Sequence, residues 1–166
     1  MTAELKQYNL SSANIGLSQE SLLKIGAVLQ GLLADEHVLY IKLRNYHWNV
    51  QGMHFKQLHL LFEEQYRQLE VQIDAVAERI RSLGMFAAGS MQIFLQKSQL
   101  KETGHLNGNA YDMLDELLKD QEIITQQLRN SIQIVEVLND VGTTDFLVET
   151  LKMHETMAWV LRAHIS

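Results

Sequence analysis

The sequence predicts an all-α protein built from four long helices. Proline is absent from all 166 residues, so nothing interrupts a helix in the way that proline does. Apolar residues recur at steps of three and four along four long segments, which is the spacing of one helix face. With 46% hydrophobic residues, residues 1–166 are expected to form one domain around a single core. Residues 1–17 are expected to be an extended N-terminal tail.

The first two helices have recognisable starts and stops. Ser18 is a typical N-cap residue, and the periodic segment after it continues to about Val50. A second helix is expected after Gly52, and Gly84 stands where glycine commonly ends a helix. The apolar positions of these helices are Leu22, Ile25, Leu29, Leu32, Leu33, Leu39 and Leu43 in the first, and Phe55, Leu58, Phe62, Leu69, Ile73, Val76, Ile80 and Leu83 in the second.

The third helix is expected to open at Asn107 or Asn109, because asparagine caps helix N-termini well. Gly142 is expected to end it. Its expected buried positions are Ala110, Leu114, Leu117, Ile124, Leu128, Ile132, Val135 and Leu138.

The fourth helix is expected to start at Thr143 or Thr144, with Asp145 in its first turn, where a negative charge is favourable. It runs through Phe146, Leu147, Leu151, Trp159 and Leu161.

The connections between the helices predict the topology. A few residues join helices one and two, and a few join helices three and four, so each pair should be antiparallel neighbours. Residues 85–108 form a long link that is expected to contain a short helix, SMQIFLQKSQ. One long crossover among four helices, with a short helix inside it, is the ferritin-like four-helix bundle.

Composition excludes several classes of function. Without cysteine, a transition metal must be held by imidazole and carboxylate, which favours iron, manganese or zinc. A net charge of −6 gives little attraction to the phosphate backbone of nucleic acid. The chain shows neither a basic segment followed by an apolar run at its start nor 18 consecutive apolar residues, so a cytoplasmic protein without a membrane span is expected.

The second predicted helix carries a set of possible metal ligands. At about 100° per residue, His59, Glu63, Asp74 and Glu78 project within roughly 100° of one another, beside the apolar face. Each of them alone is more simply explained as a solvated polar residue that flanks the core. Together, a histidine and a carboxylate four residues apart, followed by two carboxylates four apart, are a favourable arrangement for binding one ion.

One helix cannot bring all of these ligands to the same ion. His59 and Asp74 are fifteen residues apart, or roughly 22 Å along a continuous helix, whereas metal–ligand bonds are about 2 Å long. Two copies of the helix, packed antiparallel about a two-fold axis, would place His59 and Glu63 of one chain against Asp74 and Glu78 of the other. His47, at the end of the first helix, would then lie near His59.

Two other kinds of metal site are disfavoured. An intrachain di-iron bundle carries Glu-x-x-His motifs inside its helices, but this chain has only Glu102–His105, in the glycine-containing link. A zincin site needs a second histidine four residues after the first, and none follows His154 at that spacing.

These motifs resemble a known family. NYHWNVQG, then LH with a glutamate four residues after the histidine, IDAVAERIRSLG, and HETMAWVLRA near the C-terminus are similar to the mini-ferritins, the family of DNA-binding protein from starved cells (Dps). The resemblance covers nearly the whole chain. It implies that the iron ligands are His47, His59 and Glu63 from one subunit, with Asp74 and Glu78 from its two-fold mate. The family commonly has aspartate where this chain has Glu63, and the extra methylene could shift or weaken the second iron position.

The resemblance also implies an activity and an assembly. Fe(II) would be oxidised, preferably by hydrogen peroxide, and stored as Fe(III) oxide inside a hollow homo-dodecamer. Zinc in the same site and dioxygen as the oxidant remain open. Trp48 is more often a core aromatic, but the family suggests that it intercepts stray oxidising equivalents. In the family an acidic three-fold pore lies near the start of the fourth helix, and Asp140, Asp145 and Glu149 are candidates; capping by Asp145 and ordinary surface charge explain these residues equally well.

Three classes of function therefore stay open on the sequence: an iron-oxidising storage protein, a nucleoid-associated DNA-binding protein, and a purely structural bundle. DNA binding is expected to be weak or absent, because the first sixteen residues contain only Lys6 as a basic residue, balanced by Glu4. The other histidines are each expected to be packed or on the surface, although His164 could join a site; they are His37, His54, His105, His154 and His164.

Overall fold

The computed structural model describes residues 13–103 and 109–165. This part of the chain contains five helices and no strand, which confirms the all-α prediction. The helices are α1 (Gln19–Asn49), α2 (Phe55–Ser82), α3 (Met91–Lys97), α4 (Ala110–Val137) and α5 (Val141–Ile165). The four long helices form the bundle, and α3 is the short helix of the crossover. The expected tail lies mostly outside the described residues.

The α1–α2 hairpin forms as the sequence predicts. The Ser18 hydroxyl accepts a hydrogen bond from the amide of Ser21 at 3.1 Å and so caps α1. Gly52 has a φ of 106° in the turn that follows, and Gly84, with a φ of 87°, stands just beyond the C-cap of α2. Such positive φ values suit glycine because it has no Cβ. α1 packs mainly on α2, and α4 mainly on α5.

The core lies between these two hairpins and matches most of the predicted apolar positions. All seven positions predicted in α1 are buried, as are six in α2, while Ile73 packs partly buried against the core. The prediction was wrong for Phe55, which is 46% exposed. It is the first residue of α2. Trp48 is 63% exposed, so it is not a core aromatic, and Trp159 is 64% exposed.

Buried polar side chains of α1 hold the crossover in place. The Gln30 side-chain amide donates to the carbonyl of Phe86 at 2.7 Å, near the start of the link. Asp35 accepts hydrogen bonds from the Ser98 hydroxyl and the Gln99 amide, both at 2.7 Å, just after α3. A buried carboxylate is tolerated where such donors replace water. The path of the crossover is therefore fixed from the side of α1.

The turn between α4 and α5 differs from the prediction. α4 ends at Val137, and Asn139, with a φ of 61°, reverses the chain. Asparagine is the residue that most often replaces glycine in this left-handed conformation. Gly142 therefore does not end α4 but lies in the first turn of α5.

Asp140 caps α5, which begins earlier than expected. Its carboxylate accepts from the amide of Thr143 at 3.0 Å and from the hydroxyl of the same residue. Arg79 of α2 also donates to this carboxylate, at 3.1 Å. The predictions that Thr143 or Thr144 starts the helix and that Asp145 lies in its first turn were therefore wrong. The prediction placed the boundary at Gly142. The polar residue that caps α5, Asp140, lies two positions before that glycine.

Replacing Asp140 should destabilise the bundle. Asp140→Ala removes the α5 cap and leaves the partly buried Arg79 without its carboxylate partner, so we expect the free energy of unfolding to fall by about 1–3 kcal/mol. Asp140→Asn is the matched control, because it keeps an acceptor for the Thr143 amide and removes only the charge. Urea unfolding followed by circular dichroism measures both. An alanine variant as stable as the wild type would show that the cap contributes nothing.

Candidate metal centre

His47 and His59 hold each other in one tautomer. The Nδ1–H of His47 donates to the backbone carbonyl of His59 at 2.8 Å, and the Nδ1–H of His59 donates to the carbonyl of His47, also at 2.8 Å. A carbonyl oxygen only accepts, so each Nδ1 carries the hydrogen and each neutral ring keeps its lone pair on Nε2. The rings stack with their centroids 3.7 Å apart. A histidine whose other ring nitrogen donates to a carbonyl is the usual form of a metal ligand.

The fold brings these histidines together because the turn between their helices is short. His47 lies in the last turn of α1, and His59 lies in the second turn of α2. The chain reverses within residues 50–54, where Gly52 supplies the positive φ. Two antiparallel helices joined in this way place the end of one beside the start of the other.

Glu63 completes a three-residue cluster. One ligand atom from each of His47, His59 and Glu63 lies within 4.8 Å of the other two, and this is the one group of three or more such side chains found among the described residues. The carboxylate of Glu63 accepts from Nε of Arg67 at 2.9 Å. The hydrogen bond from Arg67, and then the Arg67 charge, lower the pKa of Glu63. The cluster is partly buried and offers two imidazoles and one ionised carboxylate.

Asp74 and Glu78 are not brought to this cluster within one chain. α2 runs without a break from Phe55 to Ser82, so the roughly 22 Å of helix between His59 and Asp74 remains. Asp74 instead lines an open groove of about 620 Å³ that it shares with Leu33, His37, Glu70, Val71, Ile73, Ala77 and Ala88. Both Asp74 and Glu78 are exposed. The five predicted ligands therefore form two separate sets on the surface of one chain.

Aromatic and basic residues around the cluster were missed from the sequence. The ring of Tyr66 packs edge-on against His47, with the centroids 5.4 Å apart. Tyr66 stands seven residues after His59, which places it on the same helix face, so the spacing could have revealed it. Arg67 stands four residues after Glu63 and could also have been found. The guanidinium of Arg44 lies 5.2 Å from the centroid of Trp48, in a cation–π contact.

The remaining described histidines lie apart from the cluster. His37 stacks on Phe94, with the centroids 3.8 Å apart, and burial lowers its pKa. His54 is exposed at the N-cap of α2. His164 is exposed near the end of α5, and its Nδ1–H donates to the carbonyl of Val160. His154 is fully buried, and His105 lies outside the described residues.

The donor set fits iron as half of a site. Imidazole nitrogen suits Fe and Zn, and carboxylate oxygen suits hard cations. Three donors do not fill the coordination sphere of an iron ion. The carboxylates of Asp74 and Glu78, which lie apart from the cluster, are hard oxygen donors suited to the remaining positions.

Comparisons with known proteins identify the family of this chain. The family description Ferritin-like domain matches residues 26–166. A low temperature-induced protein of Nostoc sp. is 40% identical over 92% of this chain and 86% of its own length. DNA protection during starvation protein 2 of Bacillus anthracis is 34% identical over 84% of this chain and 94% of its own length.

Solved structures give the same result. DpsC from Streptomyces coelicolor superposes with a TM-score of 0.91 at 28% identity, covering 95% of this chain and 92% of that one. A Dps protein from Vibrio cholerae, described as a member of a broad superfamily of ferritin-like diiron-carboxylate proteins, gives 0.89 at 30% identity, covering 95% and 98%. The family match over residues 26–166 and these superpositions define a ferritin-like protein. Within that class, the chain belongs to the Dps family.

Family membership supports a general function in iron storage and protection against oxidative damage. It also supports iron as the metal and a homo-oligomer as the assembly. No helix in residues 13–103 and 109–165 is long and apolar enough to cross a membrane.

Removing the Arg67 charge should strengthen metal binding at the cluster. Arg67 occupies the Glu63 carboxylate that a cation needs, and an exposed ion pair of this kind is weak. We therefore expect Arg67→Gln to tighten Co(II) binding by about two- to five-fold, measured by calorimetry. Lys24→Gln is the matched control, because Lys24 pairs with Glu20 at the same spacing on a distant part of α1. Unchanged or weaker binding in Arg67→Gln would contradict the prediction.

Proposed function

We propose that this protein oxidises Fe(II) with hydrogen peroxide at sites shared between two subunits and stores the product as Fe(III). One observation carries the proposal: two histidines with their Nε2 lone pairs presented beside Glu63, while the carboxylates that would complete the site lie elsewhere on the same rigid helix. A second copy would supply Asp74 and Glu78. Two equivalent sites would form per pair of chains.

The surface around Asp74 supports a second copy as the completing partner. Val71, one turn before Asp74 in α2, is 72% exposed in the single chain. An apolar side chain beside an open groove favours contact with another protein surface. In an antiparallel pair of α2 helices, the groove with Asp74 would face the end of the partner that carries the histidine cluster. The geometry therefore favours a two-fold arrangement.

The proposed chemistry assigns a role to each group. The Nε2 atoms of His47 and His59 and the Glu63 carboxylate bind Fe(II), which is here a substrate. Asp74 and Glu78 of the second copy supply hard oxygen donors that stabilise Fe(III) better than Fe(II). Two Fe(II) ions each give one electron, and hydrogen peroxide with two protons becomes two water molecules, so no hydroxyl radical is released. Zinc as a competing ion and dioxygen as an alternative oxidant belong to the same proposal.

Storage implies a closed assembly and a way in for iron. We propose a hollow homo-dodecamer in the cytoplasm. Asp140 is a poor pore residue, because it is only 6% exposed and its carboxylate is occupied by Arg79 and Thr143. Asp145 and Glu149 are exposed on α5 and remain the pore candidates. Glu149 pairs with Lys152 at 2.7 Å, so an entering cation would compete with this lysine.

Aromatic side chains near the site are proposed to intercept stray oxidising equivalents. Trp48 follows His47 in sequence and is exposed, but its cation–π contact is with Arg44. Tyr66, in contrast, touches the ring of His47 itself. We therefore extend this role from Trp48 to Tyr66.

Mixing two inactive variants should restore activity if the sites are shared. His59→Ala and Asp74→Ala each break every site in a homo-oligomer, so each alone should oxidise Fe(II) with peroxide at least tenfold more slowly than the wild type. In a mixed pair of chains, one site carries both defects and the other carries none. Random co-assembly of the two variants should therefore restore about a quarter of the sites.

The control for this experiment places both substitutions in one chain. The His59→Ala/Asp74→Ala double variant is assayed alone and should stay inactive. It is not mixed with wild type, because pairs of wild-type chains in such a mixture would have intact sites. Size-exclusion chromatography should show every sample at about 230 kDa, the mass of twelve chains of 19.1 kDa. If co-assembled single variants remain as inactive as each alone, the ligands do not come from two subunits.

DNA binding should be weak or absent at physiological salt. The net charge is −6, and tight binding to duplex DNA requires several phosphate-neutralising cations. A mobility-shift assay with plasmid at neutral pH and moderate salt should show free DNA. Retarded complexes that survive the His59→Ala substitution and dissolve in high salt would favour the nucleoid-binding alternative.

A further inference from the structure

Arg44 of α1 stands beside the metal cluster without an ion-pair partner. It lies three residues before His47, a spacing that makes the two side chains neighbours on the helix surface. Among the described residues the guanidinium of Arg44 pairs with no carboxylate, and its one hydrogen bond runs from Nη1 to the hydroxyl of Tyr40, at 2.8 Å. Four other arginines each pair with a carboxylate of the chain: Arg67, Arg79, Arg129 and Arg162.

Three aromatic rings hold this guanidinium in place. Its Cζ atom lies 5.5 Å from the ring centroid of Tyr40, 5.2 Å from that of Trp48 and 5.4 Å from that of Tyr66. Tyr40 and Tyr66 also pack edge-on against each other, with their centroids 6.0 Å apart. Contacts with ring faces attract a guanidinium but occupy few of its five N–H donors. The charge is therefore fixed while most of its donors stay available to a ligand.

Tyr66 connects this guanidinium to the cluster. The centroid of the Tyr66 ring lies 5.4 Å from the Arg44 guanidinium and 5.4 Å from the centroid of the His47 ring. A fixed positive charge this close to the cluster repels Fe(II) and so weakens its binding. The same charge favours a ligand whose atoms accept hydrogen bonds and gain negative charge.

The oxidant of the proposed reaction is such a ligand. Both oxygens of hydrogen peroxide accept hydrogen bonds, and the two electrons that it receives add negative charge to them. A carboxylate from a second copy is the other group that a guanidinium at this position could bind. In the proposed site, however, the carboxylates of Asp74 and Glu78 from that copy are bound to the ion, so they are not available to Arg44.

Resting on the proposed function, we propose that Arg44 binds hydrogen peroxide beside the ion at the cluster and stabilises the charge that its oxygens gain. The guanidinium N–H groups donate to a peroxide oxygen. The O–O bond breaks as two Fe(II) ions each give one electron, and two protons from solvent complete two water molecules. Arg44 keeps its own protons throughout, because a guanidinium is not deprotonated in proteins.

Replacing Arg44 should change oxidant use and metal binding in different ways. In Arg44→Gln, kcat/KM for peroxide should fall by about tenfold or more, because a charged donor to the peroxide oxygens is lost. The affinity for Co(II), measured by calorimetry, should stay the same or rise, because a positive charge leaves the site. Arg44→Lys keeps the charge and should recover part of the lost kcat/KM.

The matched control is Arg129→Gln. Arg129 of α4 pairs with Glu155 of α5 in the other hairpin, so this variant also removes one arginine charge, but away from the cluster. It should keep the kcat/KM for peroxide of the wild type. Circular dichroism establishes that each variant is folded.

Azide tests the anion site without iron oxidation, because it is a small anion that cannot be confused with a substrate electron acceptor in this assay. Added to the Co(II)-loaded wild type, it should bind and change the visible absorption of Co(II). Arg44→Gln should weaken azide binding by about tenfold, and Arg129→Gln should leave it unchanged.

The proposal is overturned if Arg44→Gln keeps the wild-type kcat/KM for peroxide, or if it binds azide as tightly as the wild type. It is also overturned if Arg44→Gln elutes as single chains in size-exclusion chromatography, since the guanidinium would then hold a carboxylate of a second copy. A negative result in the subunit-mixing experiment would remove the shared site and leave the azide titration at the cluster unaffected. The two proposals therefore fail separately.

Discussion

The rigidity of α2 is the constraint on which the site depends. A helix advances by about 1.5 Å per residue, and α2 continues from Phe55 to Ser82 without a break. His59 and Asp74 both lie on this one helix, so they cannot approach each other in any side-chain rotamer. The chain therefore presents two incomplete ligand sets at a fixed distance. Metal binding at the complete site therefore depends on assembly, because only a second copy of α2, with the same spacing between its ligands, can complete both sets at once.

Within each set, short-range packing supplies the chemical detail. The reciprocal hydrogen bonds between His47 and His59 use one nitrogen of each ring and leave the other for a ligand. The acceptors of these bonds are two backbone carbonyls, that of His47 near the end of α1 and that of His59 near the start of α2. Arg67 keeps Glu63 ionised but also competes for it. The cluster is therefore preorganised in its imidazoles and adjustable in its carboxylate, which suits a site that takes up and releases its ion.

The buried polar residues of α1 divide by what they contact. Gln30 and Asp35 bind the backbone of the crossover, and Lys42 pairs with Asp120 and Glu116 of α4. These contacts connect elements that apolar packing alone would leave free to slide, since polar contacts have defined directions. Glu36 lies against His154 of α5, with its Oε1 atom 3.4 Å from Nε2 of the imidazole. Burial raises the pKa of this carboxyl, and its other oxygen has no hydrogen-bond partner among the described residues.

The sequence by itself determined the helices, the crossover, Ser18 as the cap of α1 and the identity of the candidate ligands, because helical periodicity and capping are local properties of the chain. For α4 it left Asn107 and Asn109 as alternative caps, and the structure has Asn109 in that position. It failed at the α4–α5 turn, where Asn139 took the conformation expected of a glycine and Asp140 gained a distant partner in Arg79. Only the tertiary structure decided the tautomers of the histidines, the exposure of Trp48 and the meeting of Glu36 with His154. Each of these depends on atoms from helices far apart in sequence, and no local pattern records such contacts.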